Sequence, residues 1–128
     1  MLTIGYIGNG KSANRYHIPY VLTRDNMKIK TIYDLRVSHD VWKEVEGVNY
    51  TENIDDLLND SEIDLIVICT TPKTHYELAK KVLNAGKNVM VEKPFMPTYE
   101  QAKEIFDLAK SKNLFVQTYQ NRRYDSDF

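Results

Sequence analysis

Residues 2–13, LTIGYIGNGKSA, decide how the whole chain is read. Leu2 to Ile7 is short, mostly apolar and stops at Gly8, which is the pattern of a buried strand. Gly8, Gly10 and Ala13 then fall at the spacing G-x-G-x-x-A, directly ahead of a helical stretch from about Lys11 to Leu22. Each small residue has a separate use. Gly8 permits a tight turn, Gly10 leaves no Cβ in the way of an approaching phosphate, and Ala13 lets the helix pack closely on the strand. The N–H groups along Gly8-Asn9-Gly10-Lys11-Ser12-Ala13 would face such phosphates, helped by the dipole of the helix they open. Pro19 lies inside that helical stretch and predicts a kink or a detached last turn, because proline cannot donate to the helical ladder.

Outward from this turn, strand and helix patterns alternate. Lys28 to Tyr33 reads as a second strand, Val37 to Val45 as a short helix, Gly47 to Thr51 as the weakest strand and Ile54 to Asn59 as a helical turn. Leu65 to Cys69, LIVIC, is the clearest strand, apolar on both parities as a parallel strand covered on both faces must be. Lys73 to Ala85 is helical, with His75, Leu78, Ala79, Val82 and Ala85 on one stripe and Gly86 as its stop. Asn88 to Val91 is a strand. A helix starts at Thr98 with a capping box to Gln101, and Tyr99, Ala102, Ile105, Phe106 and Ala109 form its expected inner face. Leu114 to Tyr119 is the last strand. The alternation predicts an α/β domain over residues 1–119: a doubly wound parallel sheet of about six strands with helices on both faces. In such a sheet Gly8, Asp34, Thr70 and Glu92, each after the end of a different strand, share one edge, and ligands bind at that edge.

Asp34 stands twenty-one residues past Ala13. That is near the ~20-residue interval at which a Rossmann domain places the acid that binds the adenosine ribose. The glycine turn and Asp34 together point to a dinucleotide. A carboxylate here repels a 2′-phosphate and favours NAD, whereas Arg36, two residues on, could pair with the phosphate of NADP.

Composition narrows the partners. The chain of 128 residues is 42% apolar and 27% charged with a formal net charge of −1, which gives no basic footprint for nucleic acid. No run approaches the ~18 apolar residues of a membrane span. The start shows no signal-peptide pattern, and Cys69, the single cysteine, suits a reducing, cytoplasmic setting. Three histidines and one cysteine fall at no metal-ligand spacing, so no metal is expected. His17 and His39 read as structural and solvated, and His75 fits a packed, backbone-bonded histidine as well as a cofactor contact.

With the glycine turn, Cys69-Thr70-Thr71-Pro72-Lys73-Thr74-His75, Glu92-Lys93-Pro94 and the tail Gln120-Asn121-Arg122-Arg123 in view, the sequence resembles the Gfo/Idh/MocA (glucose–fructose oxidoreductase / inositol dehydrogenase) family. The matching pieces run from Leu2 to about Arg123. The resemblance implies an NAD- or NADP-dependent oxidoreductase acting on hydroxyl groups of sugars, inositols and related compounds. It also implies that Lys93 faces the nicotinamide and the reacting hydroxyl. Thr70, Thr71, Pro72 and His75 would line the cofactor, and Asn121 would sit near the crossing into a second domain. Members carry that second domain, which supplies most of the substrate pocket. Residues 120–128 would then begin the link to it, this stretch alone would be inactive, and the full-length protein is expected to be a homo-oligomer.

The residues supply a reason for Lys93. Removing a hydride from a carbinol requires the hydroxyl proton to leave, and a cation within hydrogen-bond reach stabilises the developing alkoxide. Glu92 beside it could hold the lysine, although adjacent strand residues point to opposite faces. The alternatives are a non-catalytic dinucleotide-binding or redox-sensing module and an S-adenosylmethionine-dependent methyltransferase; methyl transfer gives Lys93 no role.

Overall fold

The computed structural model describes residues 2–8, 25–34, 46–70, 72–92, 96 and 98–119. The helices expected at 11–22 and 37–45 lie outside these residues. Six strands form one sheet: β1 (Leu2–Ile7), β2 (Met27–Tyr33), β3 (Asn49–Thr51), β4 (Leu65–Ile68), β5 (Asn88–Glu92) and β6 (Val116–Tyr119). Their order is β3-β2-β1-β4-β5-β6 and every neighbouring pair is parallel. This is the Rossmann order, and the chain reverses its direction across the sheet between β1 and β4.

Three helices are described: α1 (Asp55–Leu58), α2 (His75–Asn84), which follows a 3-10 turn at Pro72–Thr74, and α3 (Tyr99–Ser111). They connect β3 to β4, β4 to β5 and β5 to β6. These crossovers all run the same way across the sheet, so right-handed connection puts all three helices on one face. There Leu57 of α1, Ala79, Val82 and Leu83 of α2, and Ile105 and Ala109 of α3 close over Ile7, Ile66, Ile68, Val89 and Val91. The alternate residues of the same strands, Ile4, Tyr6, Leu65 and Val67 with Ile29 and Ile32, form a second buried cluster on the other face. Strands buried on both sides explain why LIVIC carries no polar parity.

The alternation breaks once. Ile4 pairs with Ile29 but Gly5 pairs with Thr31, so Lys30 is an extra residue on β2. Ile29 and Ile32, three apart, therefore join the same cluster, while Tyr33 packs against the opposite one. This bulge was not visible in the sequence, where KIKTIY reads as a regular strand.

The helix ends follow their sequence signals. Gly86 takes φ +85° and donates to the Leu83 carbonyl at 2.9 Å, closing α2. The Thr98 hydroxyl accepts from the Gln101 N–H at 3.1 Å. The return half of the expected capping box is not made, since Gln101 Oε1 has no partner. Two stripes are corrected. In α2 the buried residues are His75, Ala79, Val82 and Leu83, while Ala85 lies past the helix end. In α3 only Ile105 and Ala109 are buried; Tyr99 and Phe106 are 76% and 48% exposed. The narrow contact of α3 with α2 and β6 covers one line of the helix, not the wide stripe its apolar residues suggest.

Candidate functional site

The carboxyl ends of β1, β2, β3 and β4 are fastened together by backbone hydrogen bonds. The Gly8 N–H donates to the Tyr33 carbonyl at 2.7 Å, the Cys69 N–H to the Ile7 carbonyl at 2.8 Å, and the Asp34 N–H to the Thr51 carbonyl at 3.1 Å. Gly8 thus sits between Asp34 on one side and Cys69-Thr70 on the other, at the point where the strand order reverses. Its φ is +112°, and a β-carbon there would lie 2.5 Å from the Cys69 carbonyl oxygen and 2.9 Å from its carbon. Glycine is needed both for the turn and for the closeness of β1 to β4.

After β4 the chain turns sharply. The hydroxyls of Thr70 and Thr74 hydrogen-bond at 2.6 Å, and the His75 ring, 1% exposed, lies with Nε2 3.1 Å from the Thr70 carbonyl oxygen. A carbonyl only accepts, so Nε2 carries the proton and donates. His75 fixes this turn from behind. Asp34 and Glu92 are half-buried at the ends of β2 and β5. The register Ile68–Val91 brings Cys69 and Glu92 alongside each other on the same face. Burial, and then the charge of and hydrogen bond to the Glu92 carboxylate, push the Cys69 thiol well above its ordinary range. Cys69 is therefore held as the neutral thiol.

Gly8, Asp34, Thr70 and Glu92 come together on one edge as their positions after strand ends required, and Pro72 opens the 3-10 turn beside them. Asn9, Gly10, Lys11, Ser12, Ala13, Arg36, Thr71, Lys93 and Asn121 lie outside the described residues. The Thr74 hydroxyl and the Cys69–Glu92 contact escaped the sequence reading; strand parity carried through β4 and β5 would have found the second. Among the described residues, no group of three or more His, Cys, Asp or Glu could hold a metal ion, and no helix is long and apolar enough to cross a membrane.

An open parallel sheet with a positive-φ glycine at the switch point, a carboxylate on its β2 flank and hydroxyls on its β4 flank defines a dinucleotide-binding domain. Comparison with known proteins agrees. Residues 2–120 match the sequence profile described as the Gfo/Idh/MocA oxidoreductase family, NAD-binding Rossmann fold, and the chain belongs to this family. It is 47% identical to the oxidoreductase YhhX of Escherichia coli over 130 residues, which is 100% of this chain and 38% of YhhX. A crystal structure of an oxidoreductase from Bacillus cereus superposes with a TM-score of 0.92 at 53% identity, covering 100% of this chain and 37% of that one. A more distant relative, the scyllo-inositol 2-dehydrogenase (NADP(+)) IolW of Bacillus subtilis, is 29% identical across 99% of this chain and 35% of IolW. The chain thus spans under two fifths of the length of these relatives.

Proposed function

We propose that this chain is the coenzyme-binding part of an oxidoreductase that moves a hydride between a nicotinamide dinucleotide and a carbinol or carbonyl carbon of a sugar, inositol or similar polyol. The observation that carries the reading is the shared edge on which Gly8, Asp34, Thr70 and Glu92 meet. The residues present fit the coenzyme. Gly8 ends β1 at the switch point with a positive φ, Asp34 supplies acceptors for ribose hydroxyls, and the Thr70–Thr74 turn offers hydroxyls on the opposite flank. When bound, the nicotinamide accepts or returns the hydride. Lys93, one residue beyond Glu92, stabilises the oxygen as its proton leaves and the carbon–oxygen double bond forms. His75 keeps the Thr70 turn in place, and the substrate pocket comes from the remaining length seen in the relatives. The polyol class rests on the inositol dehydrogenase among them.

NAD is favoured over NADP because Asp34 follows β2 directly and repels a 2′-phosphate. The Bacillus subtilis relative is named for NADP(+). Titration with NADH and NADPH by fluorescence is expected to show tighter binding of NADH. Asp34→Ala should weaken NADH by roughly tenfold or more, as loss of hydrogen bonds to a charged acceptor does, and leave the two coenzymes nearly equal. Binding of neither would end the reading; tighter NADPH binding by the wild type would overturn the role given to Asp34.

A further inference from the structure

We propose that the β-bulge at Lys30 is the device that sets coenzyme preference, by fixing which face of the sheet the acid after β2 belongs to, and that Lys30 is a positioning residue for Asp34. This rests on the dinucleotide reading above.

Side chains alternate along a strand, so one extra residue reverses every later one. Before the bulge, Met27 and Ile29 belong to the face of Ile4 and Tyr6. After it, Ile32 belongs to that same face, paired with Tyr6. Two residues further on, Asp34 continues the Ile32 series just as Gly8 continues the Tyr6 series, and the two are lateral neighbours through the Gly8–Tyr33 hydrogen bond. Cys69 and Glu92 carry the same parity on β4 and β5. Were Lys30 instead paired regularly opposite Gly5, Asp34 would fall on the face of Ile7, and Tyr33 would join the side now held by Tyr6 and Gly8. Bulges beside functional sites re-aim side chains in this way.

The bulge is held from outside the strand. Lys30 Nζ lies 2.6 Å from Asp60 Oδ2 and 2.9 Å from Glu62 Oε1. These carboxylates sit on a loop that is itself pinned. Lys87, buried, donates to the carbonyls of Asp60 at 2.6 Å and Ile63 at 3.0 Å. Asp64 exchanges hydrogen bonds with Thr3 of β1, at 2.8 Å and 3.0 Å. The ion pairs hold the Lys30 amine protonated and the Asp60 carboxyl ionised, the first raised and the second lowered from the ordinary value chiefly by their mutual hydrogen bond. Lys30 is four residues from Asp34, about 13 Å along a strand. That exceeds the ~8 Å screening length at physiological salt, so its charge does not act on the coenzyme directly.

The test compares dissociation constants for NADH and NADPH in wild type, Lys30→Ala and Lys30→Arg, with thermal midpoints alongside. A merely structural role lowers stability and weakens both coenzymes together, leaving their ratio unchanged. The proposal expects the ratio to fall by roughly threefold in Lys30→Ala, as for a weakened partly exposed ion pair, and to return in Lys30→Arg. An unchanged ratio in Lys30→Ala, or a fall that Lys30→Arg does not restore, overturns it. Wild-type chain that binds neither dinucleotide overturns the functional reading itself, and the proposal with it.

Discussion

Gly8→Ala is expected to destabilise the fold by about 3 kcal/mol or more, combining a positive-φ penalty of order 1–3 kcal/mol with a backbone overlap. At φ +112° a side chain is strained whatever space surrounds it, and here the space is already filled. The methyl carbon would lie 2.5 Å from the Cys69 carbonyl oxygen. That carbonyl cannot simply withdraw, because the same residue's N–H is bonded to Ile7 and the following Thr70 carbonyl is held by His75. The strain must therefore separate β1 from β4 at the crevice. Urea unfolding would show it as a shifted midpoint with an unchanged slope, and any folded fraction should bind NADH more weakly. A loss below about 0.5 kcal/mol, the size of an ordinary surface change, would mean that the strands do not meet as described.

The second large effect is Lys93→Ala in the chain together with its natural downstream sequence. Oxidation of a panel of polyols and sugars should slow by about 100-fold or more, the range seen on removing one donor to a developing oxyanion. The dissociation constant for NADH should move little, since the lysine acts on charge that appears only as the hydride leaves. Equal turnover in mutant and wild type would show that Lys93 is not at the chemistry.

The parts of this architecture that were legible in the sequence are those fixed by local rules. Two-sided burial made LIVIC recognisable, a stop at Gly8 ended β1, and the residue after each strand end named Gly8, Asp34, Thr70 and Glu92 as edge neighbours. What escaped depends on distant partners. Nothing within KIKTIY marks Lys30 as the extra residue; the loop carboxylates that hold it come thirty residues later. Tyr99 and Phe106 share a helical stripe with Ile105 and Ala109, yet the neighbouring elements cover only the latter pair. His75 could not be assigned from periodicity, because a packed histidine and a ligand-facing one occupy the same stripe; its burial and its bond to Thr70 place it behind the turn.

The central claim is that a nicotinamide dinucleotide lies across the carboxyl ends of the strands. Backbone amide NMR during titration with NAD tests it most directly. The amides of Gly8, Asp34, Thr70 and Glu92 should shift in saturable fashion, while Thr3, Asp64 and Asn88 at the opposite end of the sheet stay in place. Shifts confined to Thr3, Asp64 and Asn88, or none at any of these residues at saturating coenzyme, would contradict it.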